Sequence, residues 1–355
     1  MKKVLVLTLI LVFVFTFTAF SGEKFKAGFI YIGPVGDAGW TYAHDQGRKY
    51  LEKKLGIETI YLESVPEGAE SISSMENLIA LGCKVIYATS FGYMDPVQEI
   101  AKKYPNIIFE HCSGYKRAKN VGTYFGRIYQ ADFLAGIIAG SMSKSGKIGY
   151  VAPHPIPEVV RGINAFLLGA RISNPNATLK VVWVNAWYDP SAEKEAALSL
   201  IESGCDFIAH GQDSPAANQA AEENGLYSIG YNTDMRKFAP KSHLTAPIWN
   251  WGPLYVKMTK SVMDGTWKSE DLWPGFEEDI IRLAPISDLV PDSVKVKVLY
   301  YKEEIKNGKH KIFKGPIKDQ KGNIKVKSGE VLSDKDLLEM FWFVEGVIGN
   351  LPGAK

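Results

Sequence analysis

From residue 26 onward the chain alternates short apolar runs with longer amphipathic ones. KAGFIYI, ETIYLESV, KVIYATS, NIIFEHC and NVGTYFG read as strands. Between them, residues 41–55, 68–82 and 94–104 carry apolar positions at helical spacing. A helix over Tyr129 to Ser143 follows, and then the alternation restarts. KIGYVAP, LKVVWVNAW, CDFIAHGQ and LYSIGYN read as strands, separated by helices near 157–172, 190–204 and 214–225. Near-continuous apolar strands joined by helical crossovers form a parallel sheet covered on both faces. Right-handed crossovers make that layer doubly wound.

The two runs echo each other. Each has an aromatic-bearing loop after an early strand, and each has a Gly-Cys-strand segment, LGCKVIYAT and SGCDFIAHG. Two similar sheets suit this pattern better than one sheet of ten or more parallel strands. The expectation is an α/β protein with two doubly wound parallel-sheet lobes around a ligand cleft. Residues 22–125 plus 251–295 are expected in the N-terminal lobe, and 126–250 plus 296–355 in the C-terminal lobe. HLTAPIWNWGPLYVKMTKSVMDG reads as one more strand and helix. From about residue 296 the pattern reads as short strands with turns at Asn307-Gly308 and Lys321-Gly322-Asn323. A last helix is expected from Asp334 to Gly349.

Composition narrows the class. A chain of 355 residues exceeds the ~250 at which single cores stop growing, which agrees with two lobes. The formal net charge is +2, so nothing points to nucleic acid or to an anionic membrane surface. Lys2 and Lys3 precede an apolar run from Val4 to about Phe17, and Ala19-Phe20-Ser21 fits a small-residue cleavage pattern. Residues 1–21 therefore read as a secretory signal peptide, with a retained membrane anchor as the alternative. No cysteine lies near the cleavage point, so a lipid-anchored form is not expected and the mature protein is placed outside the cytoplasmic membrane. Cys83, Cys112 and Cys205 are widely spaced and odd in number, which argues against a disulfide framework or a zinc site.

Ligands of open α/β sheets bind at the carboxyl ends of the strands. Those ends carry Asp37 and Trp40-Thr41, then Phe91-Gly92, Ser113-Gly114-Tyr115 and Tyr129 in the first run. In the second run they carry Glu158 with Arg161 one turn on, then Trp187, Asp213, Asn232 and Trp249. Indoles from both lobes can sandwich a flat ring, while Asp and Asn supply directional acceptors and donors. That chemistry suits a heteroaromatic ligand. Catalytic signatures are lacking: there is no GxGxxG, GxxxxGK[ST], GxSxG or HExxH, and the six histidines form no i,i+4 pair. No cofactor or metal is implied. His111 and His210 fall in apolar strands and read as buried imidazoles; His154, in a Pro-His-Pro turn, faces the cleft.

The segments GPVGDAGWTYAHDQGRKYLE, VIYATSFGYMDP, FGRIYQADFLAGIIAG, PIPEVVRGINAF and VVWVNAWYDPSAEKEAA resemble the basic membrane protein family. These are periplasmic-binding-protein-like receptors of ABC importers and include purine nucleoside receptors. The resemblance covers about residues 24–295. It implies a hinged, type I periplasmic-binding fold, a monomer that docks on a membrane permease, and no enzymatic activity. It places Trp40 at the family's base-stacking aromatic, within Asp37-Ala-Gly-Trp-Thr41, where Thr41 replaces the family's Asn. It places Trp187 on the other face of the base. Nucleoside-binding members hold ribose with an Asp and a Lys, and those positions correspond here to Asn232 and Trp249. An indole in the sugar space implies a purine base, adenine foremost, in place of a nucleoside. The competing readings are a receptor for another flat ligand such as riboflavin, an extracytoplasmic nucleosidase using Glu158, Asp213 and Asp234, and a sensor feeding a receptor kinase.

Overall fold

The computed structural model describes residues 24–353. The leader expected at residues 1–21 lies outside them. Among the described residues no helix is long and apolar enough to cross a membrane.

The first run folds as β1 (Lys26–Ile30), α1 (Trp40–Leu55), β2 (Glu58–Leu62), α2 (Ala69–Ala80), β3 (Val85–Ala88), α3 (Met94–Lys103), β4 (Ile108–Cys112) and β5 (Val121–Tyr124). The second folds as α4 (Tyr129–Met142), β6 (Lys147–Ala152), α5 (Pro157–Ser173), β7 (Thr178–Trp183), α6 (Pro190–Glu202), β8 (Phe207–His210), α7 (Ala216–Glu223) and β9 (Tyr227–Ile229). Then come β10 (His243–Thr245), β11 (Pro247–Trp249), α8 (Trp251–Met263), β12 (Asp271–Leu272), β13 (Ile281–Leu283) and α9 (Asp292–Lys306). The chain closes with β14 (Ile317–Lys318), β15 (Ile324–Val326), α10 (Asp334–Leu338) and β16 (Val347–Ile348).

Two six-stranded sheets result, ordered β12-β5-β4-β3-β1-β2 and β10-β9-β8-β6-β7-β16, and every pairing within them is parallel. The central strands β3, β5 and β8 are buried at every residue, as a sheet covered on both faces requires. The expected two-lobed α/β architecture is present. All three cysteines are free and buried.

Local chemistry sets several boundaries. Asp189 caps α6 through its side chain, with Pro190 at the first helical position. Helix α4 is buried from Tyr129 to Gly140 because it lies directly on α5. A Cβ on Gly136 would meet the Phe166 carbonyl at 2.0 Å, so only glycine permits that approach.

The C-terminal part corrects the sequence reading. Residues 292–306 form a helix, not strands. Val298 and Ile305 are buried and Val294 and Tyr301 half-buried, a stripe at helical spacing inside a stretch that also alternates. Asn307-Gly308 is the C-terminal cap of that helix, with Gly308 at φ 70°. The turn near Gly322 does join a hairpin, β14–β15. The last helix stops at Leu338. Beyond it the backbone runs across α5, where Asn164 donates to the Trp342 carbonyl (2.8 Å) and accepts from the Val344 amide (2.9 Å). β16 then extends the second sheet beside β7. HLTAPIWN is two strands: β10 joins the second sheet and β11 pairs antiparallel with β13.

Candidate functional site

The loop between β1 and α1 is shaped by Asp37. Its carboxylate accepts from the amides of Gly39 (2.8 Å), Thr41 (2.8 Å) and Tyr42 (2.9 Å). Thr41 is fully buried, and its hydroxyl accepts from the Gly33 amide. The loop tip presses on the second lobe. A Cβ on Gly39 would fall 2.1 Å from the Asp213 carbonyl, and the Thr233 hydroxyl donates to the Ala38 carbonyl. The lobes therefore meet across the cleft, and a glycine at position 39 is a condition of that contact.

Trp40 begins α1 directly behind this tip. Its indole donates to the Thr89 carbonyl at 2.7 Å. Its edge contacts are His44 (4.3 Å), Trp249 (5.6 Å) and Trp251 (5.9 Å). Trp249 stacks on Trp251 at 4.5 Å, and Trp251 on His44 at 4.8 Å. A column of three rings thus buttresses Trp40. Trp187 approaches from the second lobe and packs edge-on to His154 at 4.9 Å. Trp40 and Trp187 line one tight cavity of about 30 Å³, together with Phe91, Glu158, Asp213 and Asn232. Asp132, Tyr150 and Tyr231 complete much of its wall.

The polar lining combines three carboxyls, Asp132, Glu158 and Asp213, with the hydroxyls of Ser90, Ser113, Tyr150 and Tyr231 and the Asn232 amide. No protein group among the described residues hydrogen-bonds to the side chain of Asp132 or Glu158, and burial pushes them up to about 8 and about 7. Asp213 is pushed well above the usual carboxylate range by burial, then by the nearby Asp37 and Glu193. Its one side-chain donor is Asn232, at 2.9 Å. Asn232 in turn accepts from the Trp249 indole at 2.8 Å. The orientation of this amide is fixed by the Trp249 indole N–H, which only donates and so takes the amide oxygen. Asn232 therefore links the buried aromatic column to a cavity carboxylate. Asn232→Asp should place two carboxylates within hydrogen-bonding distance. The expected result is weaker ligand binding by about 1–3 kcal/mol, with Asn232→Ala less harmful than Asn232→Asp in the same titration.

Not every expected residue reaches this cavity. Trp249, Thr41 and Asp37 lie behind its wall. Gly92 turns toward Glu67, whose carboxylate accepts its amide at 2.9 Å. Tyr129 lines a separate cavity beside Arg127 and Phe313. Arg161 is buried in the wall of a second chamber with Phe91 and Glu158, its guanidinium 4.8 Å over the Trp273 ring, and its Nη1 donates to the Leu337 carbonyl at 2.7 Å. His111 and His210 are buried and hydrogen-bonded, to the Ser90 carbonyl and Asn218 respectively. Among the described residues no group of three His, Cys, Asp or Glu is arranged to hold a metal ion.

Residues 24–321 match the family model described as "ABC transporter substrate-binding protein PnrA-like". The chain belongs to that family. It is 47% identical to a purine-binding protein of Brucella abortus, over 94% of this chain and 96% of the relative. It is 42% identical to a Haloferax volcanii protein whose name assigns it, provisionally, to glucose binding in an ABC transporter, over 93% of this chain and 82% of that one. Among solved structures, a solute-binding protein of Aeropyrum pernix superposes with a TM-score of 0.71 at 16% identity, over 83% of this chain and 93% of that one. Members of this receptor family are extracytoplasmic, and the family role implies a small-molecule ligand and a permease partner.

Several cavity residues of this receptor carry no strand-end signal. Asp132 sits in the first turn of an otherwise apolar helix, YQADFLAGIIAG, where a lone carboxylate is the one clue available. Trp251 follows the β11 strand end and begins α8, and His44 supports the site from α1; His44 is legible only once the fold brings α1 against α8.

Proposed function

We propose that this receptor captures a purine for import, taking a free amino-bearing base such as adenine in preference to a nucleoside. The supporting observation is the pairing of Trp40 and Trp187 across a cavity that also holds three carboxyls, Asp132, Glu158 and Asp213. Two indoles favour a flat ring by burial and offset stacking. Three carboxyls with few donors of their own suit a ligand rich in N–H groups. Trp249 stacks on Trp251 and bonds Asn232, and the family resemblance aligns it with the sugar-binding lysine of nucleoside receptors. The protein acts outside the cytoplasmic membrane as a monomer, delivers its ligand to a membrane permease and turns nothing over. Adenine should quench the intrinsic fluorescence of ligand-stripped protein in a saturable way, and adenosine incubated with the protein should be recovered unchanged by chromatography. Release of adenine would make it a nucleosidase.

A sugar is the second reading, because indoles and carboxylates also bind sugars and one relative is named for glucose. The exocyclic amine and ring N–H of an aminopurine match the three carboxyls of the lining more closely.

A further inference from the structure

The cavity does not end at the stacked ring. Phe91, Ser113 and Glu158 line it and also line a second chamber of about 680 Å³. Beyond those shared residues, the second chamber is walled largely by apolar side chains, among them Phe125, Ile156, Pro157, Trp273 and Leu338. We propose that this chamber receives an apolar substituent on the purine's amino edge, so that the receptor's ligands include N6-alkyl and N6-aralkyl aminopurines. This rests on the purine reading above.

Two features give the substituent its direction. The Asn232–Trp249 side of the first cavity is closed by the indole stack, whereas the Phe91–Ser113–Glu158 side opens. A base whose N9 edge faces the closed side therefore carries its amino edge toward the chamber. The boundary residue is an acceptor suited to that edge, since Glu158 has no hydrogen-bond partner among the described residues and a secondary amine keeps one N–H to donate. Past that point the apolar walls favour a hydrocarbon group by burial. A ribosyl group would leave its hydroxyls facing those walls with few partners. Of the chamber's charged groups, Arg161 is held over Trp273 with its Nη1 bonded to the Leu337 carbonyl.

The test is calorimetric titration of ligand-stripped protein with adenine, N6-benzyladenine and adenosine, on wild type and on Tyr115→Ala and Leu338→Glu. Tyr115 and Leu338 line the chamber and are 66% and 42% exposed, so both variants should fold. The expected result is N6-benzyladenine binding within threefold of adenine or tighter. Leu338→Glu should weaken it at least fivefold, Tyr115→Ala threefold, and adenine should change less than twofold. Adenine binding with N6-benzyladenine more than tenfold weaker overturns the inference and leaves the purine reading standing. Equal binding of N6-benzyladenine to wild type and both variants also overturns it, because the substituent then lies elsewhere. Adenosine binding tighter than adenine would assign the chamber to ribose. Binding by none of the three would defeat the purine reading itself.

Discussion

Trp187→Ala should weaken purine binding by about 1–3 kcal/mol, the scale of one base–aromatic stack, and leave the thermal midpoint nearly unchanged. Trp187 sits in a loop after β7 with His154 as its ring neighbour, so little of the fold depends on it. Trp40→Ala should cost the same in affinity and also lower stability. Trp40 donates to the Thr89 carbonyl and packs against the Trp249–Trp251–His44 column. Calorimetric titration of each variant, paired with its thermal midpoint, separates the two effects. Normal binding by both variants would exclude the sandwich. A large loss of midpoint in Trp187→Ala would make that indole a structural element.

The second large effect is on stability against pH. Burial raises Asp132 and Glu110 to about 8, and Glu158 and Glu193 to about 7. In the unfolded chain such groups lose their protons near pH 4. Between those limits the native state holds more protons, so stability falls as pH rises. The buried histidines act oppositely. Burial lowers His111, His210 and His243 to about 4, which removes stability as pH drops below about 6.5. The two sets offset each other in mild acid. At about pH 6.5 the unfolded histidines are still half protonated and offset the carboxyls; by about pH 7.5 they are neutral in both states and only the carboxyls act. The thermal midpoint of the ligand-free protein should therefore fall from about pH 7 to 8. Each raised group contributes up to about 1.4 kcal/mol per pH unit. Asp132→Asn should flatten part of that slope and raise the midpoint at pH 8. A midpoint that holds level or rises across this window would contradict the burial of these acids.

Asp132 and Glu158, which line the cavity, connect stability to binding. A ligand that donates N–H groups favours their ionised forms, so capture should release protons near neutral pH. Titration enthalpies in buffers of different ionisation heat read that release directly.

Much of this architecture was legible in the pattern of the chain. The apolar strands of the parallel sheets and their helical crossovers leave a simple signature, and strand ends mark a cleft. The first cavity gathers Trp40, Phe91, Glu158, Trp187, Asp213 and Asn232, all of them strand-end residues. Asp37 and Thr41 stand at strand ends too, but the tight turn before α1 engages them with its own amides. Sequence position reports nearness to the cleft and not the direction of a side chain. Asp132 eluded the pattern because it enters from a helix. The late segments were misread for a different reason. In residues 292–306 a helical stripe and a two-residue alternation coexist, and the contact of α9 with α4 decides between them.

The central claim is that the cavity between the lobes takes a free aminopurine. Isothermal titration of protein unfolded and refolded to strip bound ligand tests it most directly, with adenine, guanine, hypoxanthine, adenosine, riboflavin and D-glucose as the panel. The account predicts that adenine binds at least tenfold more tightly than adenosine and hypoxanthine, with no binding of riboflavin or glucose. Adenosine binding more tightly than adenine, or glucose binding where no purine does, would contradict it.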